Sequence, residues 1–261
     1  MKPKSEFVRV RGRKTQLTWG GSGPPLLYLH SAAGETEWMP FHERLAEHFT
    51  VYVPAHPGFA LSEGLDSIHD IADMAWHYVD LHQELGLPQP TPVVGFSLGA
   101  WLAMEVAVLR PKLYSKLVLA AAAGIRVEGA PLGELFIEDF AELRNMLFYD
   151  KDCPLASLAL PTDFEDPRML LFLRAREATA RVAWNPYLHD PKLAHHFFRI
   201  QQPSLILWGR HDRLLPLANG EYLAEQLPQA ELKVFEDCGH MLPFEAPDKF
   251  VEESLAFLGA K

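Results

Sequence analysis

Cysteine is scarce in this chain, and so are basic residues and long apolar runs. Only Cys153 and Cys238 occur in 261 residues, far apart in sequence, so no disulfide framework is available. They are expected as unpaired thiols in a reducing compartment. Lys and Arg number 24 against 34 Asp and Glu, a net charge of −10, which disfavours a nucleic-acid surface because phosphate binding needs clustered base. The longest apolar run, Leu117 to Ile125, falls far short of the roughly 20 residues that span a membrane. The N-terminal stretch leads into no apolar segment of the signal-peptide kind, and no internal repeat or low-complexity tract is visible. A cytoplasmic protein with neither membrane nor nucleic-acid partner is the expectation.

What the chain does hold is regular alternation. At 48% hydrophobic and 22% charged, it has ample apolar material for a core. Residues 7–11 and 15–19 flank Gly12-Arg13 and read as an N-terminal hairpin. Short apolar runs follow at 26–29, 50–53, 92–94, 117–120, 205–207 and 232–235. Continuous apolar runs mark strands buried on both faces, as in a parallel sheet covered by helices. Helical signals lie between them. Ser67 with Asp70 opens a helix that closes near Leu85-Gly86, residues 97–109 form a helix stopped by Arg110-Pro111, and Pro247 starts one that ends at Gly259. The pattern specifies an α/β fold with a doubly wound, mostly parallel sheet.

One stretch interrupts the alternation. Residues 126–199 carry no strand signal, and Leu135, Phe136, Phe140, Leu143, Met146 and Leu147 fall at helical spacing. Asp166-Pro167 and Asp190-Pro191 each read as a cap followed by a first-turn proline. The chain therefore divides into a core of 1–125 and 200–261 with an all-helical cap inserted at 126–199. Charge is sorted within the insertion: 128–166 holds ten acids and two bases, 167–199 six bases and two acids. Either the two halves pair with each other, or the acidic half borders a pocket mouth and repels anions.

Chemistry concentrates at Gly95-Phe96-Ser97-Leu98-Gly99, directly between a strand and a helix. A serine on such a tight turn stands clear at the helix N-terminus, provided that its neighbours two positions away carry no side chain. A serine hydroxyl needs a base, and the base needs an orienting acid. His240, in Cys238-Gly239-His240-Met241, follows the last strand; Asp212, in Trp208-Gly209-Arg210-His211-Asp212, follows the strand before it. Loops at the carboxyl edge of a parallel sheet are where catalytic groups gather. Ser97, Asp212 and His240 are the candidate catalytic residues. Adjacent His195-His196 diverge on a helix, so no metal is expected, nor an organic cofactor.

On these residues the chain resembles α/β-hydrolase-fold serine hydrolases of the capped, lipase- and esterase-like type, over nearly its whole length. The resemblance implies that His30-Ser31-Ala32-Ala33-Gly34 is the oxyanion loop, with Ser31 in place of the family's usual glycine. It further implies that the Ala32 and Leu98 amides serve as oxyanion donors. The segment Ala55-His56-Pro57-Gly58-Phe59-Ala60-Leu61-Ser62 keeps two residues of the family's next loop and loses its acid. A carboxylesterase acting on small or medium ester substrates is the implied function, working through an acyl-enzyme.

Four kinds of enzyme on the same fold frame the alternatives. Haloalkane dehalogenases and epoxide hydrolases carry aspartate where Ser97 stands, and plant hydroxynitrile lyases carry lysine where Met241 stands. C–C bond hydrolases of aromatic ring-cleavage products keep the serine, though with asparagine at the position of Phe96; Trp184-Asn185-Pro186 resembles their cap segments. A ligand-binding receptor of the same fold is the alternative outside enzymes. Ser31, Phe96, Phe140, Trp184 and Met241 are the expected pocket residues. With no evident cationic clamp, uncharged acyl groups are the expected substrates.

Overall fold

Eight strands run through the molecule in one sheet, and their burial explains their composition. The computed structural model describes residues 2–259; Met1, Ala260 and Lys261, which close the two expected core segments, lie outside the described residues. The strands are β1 (Lys4–Val10), β2 (Arg13–Gly20), β3 (Pro25–Leu29), β4 (Thr50–Pro54), β5 (Thr91–Phe96), β6 (Tyr114–Ala120), β7 (Ser204–Gly209) and β8 (Ala230–Phe235). Their order across the sheet is β1-β2-β4-β3-β5-β6-β7-β8, antiparallel from β1 to β4 and parallel from β4 to β8. Every residue of β7 is buried, as expected for a strand covered on both faces, whereas the edge strand β1 is largely exposed. The hairpin turn is Arg11-Gly12, one residue earlier than its sequence signal. Both residues have positive φ, the geometry of a tight two-residue turn between Val10 and Arg13.

Helices α1 (Pro40–Leu45), α2 (Ile71–Glu84) and α3 (Leu98–Leu109) lie in the first half of the chain, and α4 (Phe140–Leu147), α5 (Ala156–Ala159) and α6 (Met169–Ala183) between β6 and β7. A 3₁₀ helix, Leu193–Arg199, precedes β7; α7 (Leu217–Gln226), α8 (Leu242–Glu245) and α9 (Pro247–Leu258) complete the chain. Apolar on nearly every side, with Glu105 its one charged residue, α3 is buried from Leu98 to Ala107 against β3, β5 and β6. Gly259 closes α9 in the left-handed conformation at φ 80°.

Three expected helix starts move. Helix α2 opens at Asp70, whose carboxylate accepts the Asp73 N–H, rather than at Ser67, whose hydroxyl receives Arg13. Asp70 offers the shorter reach to a free first-turn donor. Helix α6 begins at Met169 instead of Pro167, because the Asp166 carboxylate is occupied by Arg168 and by the Thr162 N–H. After Asp190-Pro191 the chain winds as a 3₁₀ helix from Leu193, with the Asp190 side chain accepting the Lys192 N–H.

The segment between β6 and β7 contains no named strand among the described residues. Its two charge-sorted halves are not zipped together by ion pairs: among the described residues, Arg168–Asp166 is the only bridge across their boundary. Arginines instead hold its carbonyls, Arg144 and Arg168 converging on the Leu160 C=O at 3.0 and 3.1 Å. No described helix is long and apolar enough to cross a membrane.

Candidate active site

Four loops at the carboxyl ends of β3, β5, β7 and β8 converge on one point. Ser97, between β5 and α3, has φ 54° and ψ −111°, a conformation that costs a non-glycine residue about 1–3 kcal/mol. The turn closes only because its flanks lack side chains. A Cβ on Gly99 would stand 2.0 Å from the Leu29 carbonyl oxygen, and one on Gly95 2.6 Å from Ala100 Cα. The strain therefore has a structural purpose: it lifts the hydroxyl out of the sheet toward the other loops.

His240 Nε2 lies 3.0 Å from Ser97 Oγ, and His240 Nδ1 lies 2.8 Å from Asp212 Oδ2. All three residues are buried. Asp212 Oδ1 already accepts the Leu214 and Leu215 N–H groups at 2.9 and 2.8 Å, leaving Oδ2 for the imidazole. A carboxylate can only accept, so Nδ1 carries the proton and Nε2 faces the serine hydroxyl as an acceptor. The Phe96 ring lies 5.5 Å from the imidazole and walls it from the sheet side.

Beside them, the loop after β3 is held by side chains. His30 Nδ1–H donates to the Ser31 carbonyl at 2.8 Å, and His30 Nε2 accepts the His56 N–H at 2.9 Å. That pattern requires a neutral ring, and burial pulls the His30 pKa down to about 4. Ser31 departs from glycine with a partner: the buried Glu35 carboxylate accepts both the Ser31 N–H and its hydroxyl at 2.7 Å, and the Ala33 N–H donates to Ser31 Oγ at 3.1 Å. Burial pushes the Glu35 carboxyl pKa up against these hydrogen bonds. Leu98, the first residue of α3, has no intrahelical acceptor for its N–H.

An apolar cavity opens above Ser97 and His240. Ser31, Ala32, Met241 and Leu214 line it from the core side, and Leu135, Phe136, Leu143, Leu147, Leu160, Phe172, Arg176 and Thr179 from the segment between β6 and β7. Of the expected pocket residues, Ser31 and Met241 line it, while Phe96, Phe140 and Trp184 do not. Phe96 is fully buried behind the imidazole. Phe140 turns to Phe164 and Phe172 at 5.2 and 5.9 Å, and Trp184, 58% exposed, packs on the outer side of Phe136. A more open groove at 125–131 and 189–194 shares no lining residue with this cavity.

Arg176 was not anticipated. Half-buried between the Phe136 and Phe172 rings, its guanidinium donates to the Leu135 carbonyl at 3.3 Å and, among the described residues, forms no ion pair, with Glu134 and Glu138 acting on it from farther off. Burial pulls its pKa down. Six bases crowd 167–199, and nothing in their spacing singles out the one that faces inward. Glu35 and Glu245 were also not anticipated, since nothing in the sequence sets them apart from nearby acids such as Glu37 and Asp248.

Comparison with known proteins bears on the family and the fold. A 2-hydroxymuconate semialdehyde hydrolase of Pseudomonas is 28% identical over 93% of this chain and 89% of its own length. A pimeloyl-[acyl-carrier protein] methyl ester esterase of Vibrio vulnificus is also 28% identical, over 94% and 99%. Among solved structures, a putative lipase of Acinetobacter baumannii superposes with a TM-score of 0.85 at 23% identity, covering 98% of this chain and 91% of that one. The model of the alpha/beta hydrolase family matches residues 23–253, so the chain is a hydrolase that belongs to that family.

Proposed function

We propose that the chain is a serine-dependent acyl hydrolase, a carboxylesterase in which residues 126–199 act as a cap. The observation that carries this reading is the unbroken Ser97–His240–Asp212 hydrogen-bond chain beneath an apolar cavity. His240 takes the Ser97 proton as Oγ attacks the ester carbonyl, and Asp212 stabilises the imidazolium. The Ala32 and Leu98 amides receive the developing oxyanion; one such donor is worth about 3 kcal/mol in the transition state. His240 then protonates the departing alcohol and activates the water that hydrolyses the acyl-enzyme. Nitrophenyl esters test the reading: Ser97→Ala is expected to lose roughly a thousandfold or more in kcat and all fluorophosphonate labelling. Labelling of the wild type without turnover would favour a ligand-binding receptor instead.

Arg176 favours a second reading. A half-buried guanidinium in the cavity wall, in the field of Glu134 and Glu138 but ion-paired to neither, suits a substrate that carries an anionic group, against the uncharged esters expected from sequence. C–C hydrolysis of ring-cleavage products is such a case, and a relative bears that kind of name. Matched neutral and carboxylate-bearing substrates, as esters and as vinylogous diketones, separate the two readings. Arg176→Gln should cut kcat/KM for the anionic set alone, by roughly 10- to 100-fold.

A further inference from the structure

The loop that carries His240 is joined to the end of α4 by main-chain hydrogen bonds. The Leu147 carbonyl accepts the His240 N–H at 2.8 Å and the Met241 N–H at 3.2 Å. Glu245 Oε1 accepts the Tyr149 and Asp150 N–H groups at 2.7 and 2.9 Å, and its Oε2 accepts the Gly239 N–H at 2.9 Å. Five amides from two segments distant in sequence thus converge on one carbonyl and one carboxylate. The segments are also in close steric contact: a Cβ on Gly239 would lie 2.7 Å from Tyr149 N and 2.9 Å from Leu147 O. The Asp212 loop joins the same seat, with Arg213 donating to the Asn145 carbonyl at 2.5 Å and the Gly133 N–H to the Leu214 carbonyl at 2.8 Å.

We propose that Glu245 is a positioning residue that fastens segment 147–150 to the 238–241 loop, so that His240 reaches Ser97 only while that segment is seated. The inference rests on the triad reading above. Glu245 does not touch the reacting atoms; it acts by fixing where the imidazole stands. It follows that α4 does not lift to admit substrate, since lifting it would carry His240 away from Ser97. Access must come from the α6 side. That helix makes no main-chain hydrogen bond to the core among the described residues.

Glutamine at 245 offers one acceptor oxygen and turns a donor toward amides that are themselves donors, so it breaks part of the junction without removing bulk. Glu245→Gln is expected to lower kcat about tenfold and Glu245→Ala about a hundredfold, with KM within about twofold, since misplacing a catalytic group by 1 Å costs roughly that much. Gly239→Ala strains the same contact from the other side and should give the same kcat loss. In the double variant with Glu245→Gln, the loss should not exceed that of the worse single variant. The downfield proton resonance of His240 Nδ1–H should shift or broaden in each, a response that loss of stability alone would not produce. Full kcat and an unchanged resonance in both Glu245→Gln and Gly239→Ala, beside an inactive Ser97→Ala, would overturn the positioning role and leave the triad intact. An active Ser97→Ala would instead remove the reading on which the role depends.

Discussion

Helices α4 and α6, one in each half of the segment between β6 and β7, meet the core by different means. The first half, through Gly133, Asn145 and residues 147–150, is joined by directional hydrogen bonds to the loops of Asp212 and His240. In the second half, α6 meets the loops after β3 and β4 mainly by close packing of small residues, with Ala175 over Gly34 and Ala178 over Gly58, and by one hydrogen bond among the described residues, from Arg174 to the Ser62 carbonyl at 3.5 Å; the bonds of Leu188 and Asp190 to Gly124 and of Arg199 to Val108 lie beyond that helix. Hydrogen bonds have a narrow geometric optimum and set a position; apolar contacts between small side chains exclude bulk but tolerate sliding. Accordingly, the half beside Asp212 and His240 is held by polar junctions. The helix that supplies Phe172, Arg176 and Thr179 to the cavity wall is held mainly by fit.

Adding volume is therefore the sharpest way to separate them. Gly34 has φ +79°, and a Cβ there would stand 2.9 Å from Ala175 Cβ. Gly34→Val should cost about 3 kcal/mol or more in urea unfolding, combining a strained backbone with overpacking. Glu245→Gln, which alters only polar groups, should cost markedly less stability while losing more kcat per kcal/mol. The reverse ranking would mean that the first half, not the second, is held by packing.

Sequence patterns reached the sheet and the three residues of the hydrogen-bonded chain because both follow from local rules. Strands buried on both faces must be continuous apolar runs, and a serine between two glycines at a strand–helix junction has few other uses. Chain order then pointed to Asp212 and His240 at the ends of β7 and β8. The cavity wall was less legible. Phe136 and Phe140 are four positions apart, yet the first lines the cavity and the second packs under Phe164, because α4 starts only at Phe140 and the chain turns before it. Arg176 differs from its five basic neighbours by facing Phe136 and Phe172, a property of how α6 lies rather than of its spacing. The proline signals at 167 and 191 misplaced the helix starts, since Asp166 and Asp190 commit their side chains to nearby amides and, for Asp166, to Arg168.

pH acts on the second half at its root. Glu105 on α3 accepts the Trp101 Nε1–H at 2.8 Å, and its pKa is raised to about 7, first by burial and then by Asp190 and Asp70. In the unfolded chain this carboxyl titrates near its ordinary value, about 4.3. Between those two values the folded protein binds a proton that the unfolded chain has released, so stability falls as pH rises through that window. The contribution is complete below the window and gone above it. Glu105→Gln keeps an acceptor for Trp101 and removes the titration. It should match the wild type at the acid end and exceed it by about 2 kcal/mol on the alkaline side, read from urea unfolding at both ends. A uniform gain at every pH would assign the effect to packing rather than to the proton.

The smallest expected effect tests whether side chains share in holding the first half. The Tyr149 ring stacks on His211 with centroids 4.4 Å apart and planes 18° from parallel, beside the Asp212 loop. Its main-chain N–H, not its ring, donates to Glu245. Tyr149→Ala therefore keeps the junction and removes only a half-exposed stack, a loss of about 0.5–1 kcal/mol in stability with kcat within about twofold. The ring and the amide belong to one residue, so this variant divides the seat at a single position. If Tyr149→Ala lowered kcat as far as Glu245→Gln, ring packing would be setting the His240 loop, and the contrast between a hydrogen-bonded half and a packed half would fail at its strongest point.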